Sequence, residues 1–278
     1  MNYIELNIAI DPKAPWTEIL IAQLAEIDFE SFTENNDQLQ AYITEELMNS
    51  KKVDDVITSI RNNDVSVDFT TKKIEEENWN ATWEADFLPV TVEDKLIIRA
   101  PFHKEENGYK EEVIIQPQMS FGTGHHQTTW LLSSLLCDKD FRGLTVLDSG
   151  TGTGVLAILA LKKGAKKVIG TDIEKGAVEN AIENFGRNHL SEADIRLGDI
   201  DCVTERNFDV IIANINKNVL KVHLPHYSER TATSGELYLS GFFVSDTEEL
   251  ISAAQKVGYH HDATYAKEEW AVLKFTKD

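Results

Sequence analysis

The stretch that most limits what this chain can fold into is Thr145 to Gly154, Thr-Val-Leu-Asp-Ser-Gly-Thr-Gly-Thr-Gly. Thr145, Val146 and Leu147 form a short apolar, β-branched run, the signature of a buried strand. The run stops at Asp148. Three alternating glycines follow at Gly150, Gly152 and Gly154, and Val155 to Lys163 is then dense in apolar helix formers. The pattern predicts strand, glycine turn, helix. Glycines let the chain turn sharply and let a ligand come close to the backbone. The helix start turns unpaired N–H groups and the positive end of its dipole toward that ligand.

Spacing narrows the ligand. A dinucleotide fingerprint is G-x-G-x-x-G. Counted from Gly150, its third glycine would fall at position 155, which is Val155. The spacing here is G-x-G-x-G behind an acid, Asp148, and resembles the turn with which methyltransferases hold S-adenosylmethionine through Gly150 and Gly152. A tight strand-to-helix connection with no ligand is the plainer reading. Lys167 to Thr171 reads as a second strand ending at Asp172, about 20 residues beyond the turn, where α/β nucleotide folds hold ribose hydroxyls. A carboxylate accepts from both hydroxyls at once. Asp172 would otherwise cap the helix that starts near Lys175.

With 278 residues, the chain makes one large or two medium domains, and 42% apolar residues are enough for a core. It has no apolar run of about 18 residues, so no transmembrane helix is expected. The start, Met-Asn-Tyr-Ile-Glu-Leu, carries no basic region followed by an apolar stretch, so no signal peptide is expected either. Cys137 and Cys202 are far apart and lack metal-ligand companions, which fits free thiols in a reducing compartment, the cytoplasm. The formal net charge of −20 disfavours direct nucleic-acid binding and would attract a basic protein partner. A monomer is expected.

Residues 1–70 alternate as β-α-β-β-α-β, the ferredoxin-like pattern. The strands are marked by Ile4 to Ile10, Phe29 to Phe32, Leu39 to Ile43 and Val65 to Phe69. The helices are marked by Trp16 to Leu24 and Val53 to Ile60. Nothing there looks catalytic. Residues 71–88 read as a linker helix whose Trp79, Trp83 and Phe87 recur at i, i+4 and i+8 and pack on a neighbour. A hinge, or an aromatic contact to a partner, is the sharper reading. Residues 89–278 form the second domain.

Gln116 to Thr129 is Gln-Pro-Gln-Met-Ser-Phe-Gly-Thr-Gly-His-His-Gln-Thr-Thr. Pro117, Gly122 and Gly124 exclude regular structure. Thr128, Thr129 or a preceding histidine would cap the helix Trp130 to Leu136. A loop so rich in hydroxyls and backbone donors suits the mouth of a site. Adjacent His125 and His126 point apart and lack ligand companions, so no metal is expected. Asp194 to Leu197 is a third strand. In this fold the loop after it lies near the adenine, so Asp199 either accepts from the exocyclic amine or is an ordinary turn residue. Phe208 to Ala213 is a fourth strand ending at Asn214. Three more at Gly235 to Ser240, Tyr259 to Tyr265 and Trp270 to Phe275 complete a seven-stranded, doubly wound α/β sheet with its ligands at the carboxyl ends of the strands. Asn214, at the end of strand four, would face the reacting centre and aim an amine for in-line methyl transfer. A strand-end cap is the plainer reading.

Together, Met119 to Thr129, the turn from Asp148 to Gly154, Asp172 and Ala213-Asn214-Ile215 resemble the methyltransferases that modify large-subunit ribosomal protein eleven. The likeness is carried by about residues 75 to 275. It implies a class I, S-adenosylmethionine-dependent, Rossmann-like enzyme that methylates lysine and N-terminal amines of that protein. It implies cofactor contacts from Thr129, Gly150, Asp172 and Asn214, and a loop with Phe121, Thr123 and Gly124 that folds over the cofactor. It also implies substrate recognition by the N-terminal domain, repositioned on a flexible linker. The chain departs from the family pattern at Ser120 and at Asn216, where small or apolar residues are usual. A polar Asn216 bears on which amines are accepted.

Overall fold

The structure is a computed structural model that describes residues 2–35, 38–74, 87–118, 120–190 and 194–278. The chain divides into two compact units, Met1–Asp86 and Phe87–Asp278.

The first unit holds β1 (Tyr3–Asp11), α1 (Trp16–Ala25), β2 (Ser31–Asn35), β3 (Gln38–Thr44), α2 (Ser50–Arg61) and β4 (Ser66–Ile74). Its strands form an antiparallel sheet in the order β2-β3-β1-β4. Alternation along the strands turns Leu6, Ile8, Leu39, Ala41 and Val67 to one face. There they meet Leu20 and Leu24 of α1 and Val53, Ile57 and Ile60 of α2 in a single core. Asn49 caps α2 by accepting from the Lys52 N–H at 3.2 Å.

Two sequence expectations shift. Phe29 is a buried core residue, and the ladder with β3 takes Ser31–Asn35 rather than the run from Phe29 to Phe32. β4 continues to Ile74, which pairs with Tyr3. Thr71 to Ile74 are therefore strand, not the start of a linker helix. Pairing along the whole of β1 satisfies their backbone groups, which outweighs the weak helix preference of Lys72 and Lys73. The remainder of that expected helix, with Trp79 and Trp83, falls on residues 75–86, outside the described residues, and Phe87 and Leu88 are not helical.

The second unit opens with a small sheet, β5 (Val90–Val92), β6 (Leu96–Arg99) and β7 (Glu111–Ile114). Then come α3 (Gln127–Cys137), β8 (Thr145–Ser149), α4 (Val155–Lys162), β9 (Lys167–Asp172), α5 (Lys175–Arg187), β10 (Asp194–Leu197) and β11 (Phe208–Asn214). The chain ends with α6 (Lys217–Arg230), β12 (Thr231–Phe243), α7 (Thr247–Gln255), β13 (Tyr259–Lys267) and β14 (Trp270–Lys277). The large sheet has the order β10-β9-β8-β11-β12-β14-β13. β14 alone inserts antiparallel to both its neighbours.

Strands buried on both faces read as continuous apolar runs, and successive residues feed opposite cores. Val146, Val168, Val210 and Ile212 pack with α3 and α4 residues such as Leu132 and Ile158. Leu147, Ile169, Ile211 and Ala213 pack with Leu220 and Leu224 of α6 and Leu250 of α7. From β8 the chain winds outward to β9 and β10, then returns to β11 on the other side of β8. This reversal opens a crevice at the carboxyl ends of β8 and β11, where α/β sheets bind ligands.

Candidate active site

The glycine turn lines that crevice. Gly150 (φ +77°) and Gly152 (φ +54°) lie in the left-handed region that favours glycine. A Cβ on Gly150 would sit 2.2 Å from Ile215 Cγ2, and one on Gly152 would sit 2.2 Å from the Phe121 carbonyl oxygen. The turn's amides are engaged by the protein itself. Gly150 N–H and Thr151 N–H both donate to the Thr171 carbonyl at 2.8 Å, and Thr153 N–H donates to the Phe121 carbonyl at 2.9 Å. Gly152 N–H donates to Asp172 Oδ2 at 2.9 Å.

Asp172 thus braces the turn. Its Oδ1 accepts from Glu174 N–H at 3.0 Å, so it also orders the entry to α5. Each carboxylate oxygen keeps a second acceptor site free for a ligand hydroxyl. Asp148 is buried and lies beneath the turn, accepting from Thr151 Oγ1 at 2.7 Å. Burial pushes its carboxyl up to about 6, with the nearby Asp172 charge adding to the effect.

The loop before α3 is clipped down by an asparagine ladder on α5 and its C-cap. Asn180, Asn184 and Asn188 recur at i, i+4 and i+8 and are all buried. Asn188 grips Ile114, accepting from its N–H at 3.0 Å and donating to its carbonyl at 2.7 Å. Asn184 accepts from Gln116 N–H at 2.8 Å and donates to the Thr153 carbonyl at 2.9 Å, tying the loop to the glycine turn. Thr153 Oγ1 completes the link by donating to the Gly122 carbonyl at 2.6 Å. Of the candidate caps for α3, His126 takes the role and accepts from Thr128 N–H at 3.3 Å. His125 bonds the Leu88 carbonyl at 2.9 Å and Thr123 at 3.2 Å.

The resulting cavity measures about 820 Å³. Asp172, Glu174 and Asp199 supply carboxylates, and no Lys or Arg lines it among the described residues. Phe121, His126 and Trp270 form an aromatic wall, with ring centroids 5.2 and 4.5 Å apart along the row. Two acceptors are orphaned. Asn214 Oδ1 and Thr171 Oγ1 are buried and have no hydrogen-bond partner among the described residues. The Asn214 amide end reaches Thr129 Oγ1 at 3.5 Å. An unpaired buried polar atom costs about 1–3 kcal/mol.

Phe121, Gly150, Gly152, Asp172, Asp199 and Asn214 come together on the cavity wall. Thr129 stands behind Asn214, and Asp148 lies under the turn. Thr123 and Gly124 are elsewhere on the loop, Gly124 packing on Ile98 of the small sheet. Asp199 lines the cavity and also caps the 3-10 turn Ile200–Cys202, accepting from Asp201 N–H at 3.0 Å. Sequence reading missed Ile173, His223 and Trp270 on the wall. Ile173 carried a signal, an apolar residue between two acids, and in the structure it is 70% exposed. His223 lies on α6, a helix that was not anticipated.

A G-x-G-x-G turn, an acid closing the next strand, and a crevice at β8 and β11 lined by no Lys or Arg among the described residues define a methyltransferase-type α/β domain. Comparison with known proteins makes the assignment specific. Residues 14–278 match the family model described as Ribosomal protein L11 methyltransferase (PrmA), and the chain belongs to that family. A Ribosomal protein L11 methyltransferase of Phocaeicola vulgatus is 37% identical over 278 residues, covering 99% of both chains. One from Porphyromonas gingivalis is 41% identical over 263 residues, covering 94% of this chain and 91% of its own. The crystal structure of a ribosomal protein L11 methylase from Lactobacillus delbrueckii superposes with a TM-score of 0.65 at 26% identity, covering 69% of this chain and all of the other.

Proposed function

We propose that this methyltransferase transfers methyl groups from S-adenosylmethionine to lysine and N-terminal amines of ribosomal protein L11 in the cytoplasm. The observation that carries the reading is the cavity's polarity. Three carboxylates, no lysine or arginine among the described lining residues, and a glycine turn whose amides are already engaged suit a cationic nucleoside. They oppose the pyrophosphate of a nicotinamide dinucleotide, which needs free amides or cations.

Asp172 would hold the ribose hydroxyls, Asp199 the adenine amine, and Ile173 the face of the base. The loop at Phe121 would close over the methionine end. When bound, S-adenosylmethionine supplies an electrophilic methyl on a sulfonium sulfur that departs as a neutral thioether. The orphaned Asn214 Oδ1 accepts from an N–H of the incoming neutral amine and aims its lone pair. The substrate ammonium loses its proton to water before the amine attacks, so no general base is required in the transfer itself. The wall of Phe121, His126 and Trp270 would accommodate an amine that already carries methyls.

The first unit is read as a ferredoxin-like substrate-recognition domain. Its βαββαβ order and its strand order support this. Its charge does too: residues 1–86 hold nineteen Asp and Glu against six Lys and Arg, a surface that draws in a basic protein. No helix among the described residues is long and apolar enough to cross a membrane.

The test is intact-mass spectrometry of unmodified ribosomal protein L11 incubated with this protein and S-adenosylmethionine. Steps of one methyl mass are expected. No added mass, with the protein folded, would reject the substrate. A melting shift with a nicotinamide dinucleotide and none with S-adenosylmethionine would reject the cofactor.

A further inference from the structure

We propose that His223 reads the base of the bound nucleoside: its imidazole Nε2 presents a lone pair to the exocyclic amino group and so selects adenine over a purine with a carbonyl there. The inference rests on the nucleoside reading of the cavity given above.

His223 lies on the second turn of α6, one turn beyond Val219, and both residues line the cavity. α6 packs against the 3-10 turn Ile200–Cys202, and Gly198 and Asp199 just before that turn line the same cavity. His223 therefore shares the end of the cavity where Asp199 would meet the base.

Its neighbours fix its tautomer. Nδ1 lies 3.3 Å from the hydroxyl of Tyr227, which is wholly buried, and the two rings meet edge to face. The single Tyr227 proton is donated to Ser149 Oγ at 2.9 Å. With that proton on the Ser149 side the Tyr227 oxygen is the acceptor, and we place the ring proton on His223 Nδ1. Nε2 is left as a bare acceptor on the opposite edge of the ring. It makes no hydrogen bond among the described residues, and the ring, 9% exposed, lines the cavity.

Charged and titratable groups bear on the ring from α6 and from the facing turn. Burial pulls the imidazole below its ordinary value, His226 on α6 acts the same way, and Asp199 and Asp201 oppose them. Burial is the largest of these influences, so the ring is neutral at pH 7 and keeps its lone pair.

An adenine amino group offers two N–H donors, one for Nε2 and one for the Asp199 carboxylate. A purine carbonyl would turn its oxygen toward two acceptors and leave all three unpaired. A filler residue needs neither a nitrogen nor a fixed tautomer, and the chain Ser149–Tyr227–His223 supplies both.

The experiment measures binding of S-adenosylhomocysteine and of its hypoxanthine analogue, S-inosylhomocysteine, by calorimetry on the full chain. The native protein should prefer the adenine compound. His223→Leu should weaken the adenine compound about tenfold, the scale of one hydrogen bond left unmade, and leave the hypoxanthine compound within about twofold. A leucine variant that weakens both compounds equally, or keeps the native preference, overturns the proposal. A second readout needs no variant. The 15N spectrum of the His223 imidazole should show protonated Nδ1 and bare Nε2, with the Nε2 signal moving on addition of the adenine compound and not of the other. A protonated Nε2, or equal movement with both, overturns the proposal while leaving the nucleoside reading intact. A native protein that binds neither compound removes both.

Discussion

Gly152→Ala separates two consequences of one added methyl group. The first is local. At φ +54° an alanine adopts a left-handed conformation that costs about 1–2 kcal/mol. The second is a displacement. The new Cβ would lie 2.2 Å from the Phe121 carbonyl oxygen and 3.1 Å from its carbon, so the loop must retreat by roughly 1 Å to restore ordinary contact. Retreat loses the Thr153 bonds to the Phe121 and Gly122 carbonyls, at about 1 kcal/mol each. Together these come to about 3–4 kcal/mol, a fall in Tm of about 6–16 °C for a unit of this size. Thermal unfolding without ligand measures that sum. Calorimetry with S-adenosylhomocysteine measures the loop, and affinity should fall about tenfold or more. Gly186→Ala is the control. It sits on α5 with nothing within 4 Å of its Cβ, and should stabilise by about 0.5–1 kcal/mol. A Gly152→Ala protein that melts early yet binds with native affinity would show that the loop does not form part of the site.

Asp172→Ala should weaken the cofactor by about 10- to 100-fold, the scale of charge-assisted bonds to hydroxyls, measured by calorimetry; unchanged affinity would remove the ribose assignment. Asn214→Ala should leave cofactor affinity within about threefold and lower kcat about 100-fold, as expected for lost orientation; equal loss of binding in both variants would make Asn214 a cofactor contact rather than an aimer of the amine. Asp148→Asn should change how stability depends on pH. Burial raises this carboxyl from 3.8 to about 6, so its favourable contribution is complete below the unfolded value and is lost as pH rises through the folded one. Between about pH 4 and 6 the native chain should lose about 3 kcal/mol relative to Asp148→Asn, and parallel stability curves for the two proteins would refute this.

Much of the catalytic unit was legible because its signals are local. The run from Thr145 to Gly154 prescribes strand, turn and helix by residue type alone, and Asp172 follows at a fixed interval. What escaped depends on partners distant in sequence. β5 has only three residues and is a strand because Val90 and Val92 pair with β6. α6 carries Pro225 in its interior and a polar composition, which mask it. The spacing of Leu220, His223, Leu224 and Tyr227 at i, i+3, i+4 and i+7 was the available sign. That β4 runs on through Lys72 and Lys73 could not be read from those residues, because pairing with β1 decides it. Thr123 and Gly124 belong to a motif that brackets the cavity, yet the chain turns both away from it. A motif's span is legible before the direction of each side chain within it.

The same cavity raises the question of where the rate comes from. Its carboxylates favour positive charge, and methyl transfer conserves that charge: a sulfonium and a neutral amine become a thioether and an ammonium. Carboxylates spread along the cavity wall would hold the cation before, during and after transfer with similar strength. Such uniform binding tightens the complex without lowering the barrier. Acceleration must come from a group whose contact matters only when the amine is aligned, the role proposed above for Asn214, whose Oδ1 is buried with no hydrogen-bond partner among the described residues. The asparagine ladder supports alignment from the other side by fixing the loop to the glycine turn. Neutralising Asp199 should therefore raise KM for the cofactor with kcat nearly kept, whereas Asn214→Ala should do the reverse. A variant at Asp199 that lowers kcat as steeply as one at Asn214 would place the catalytic advantage in the cavity's charge and not in its geometry.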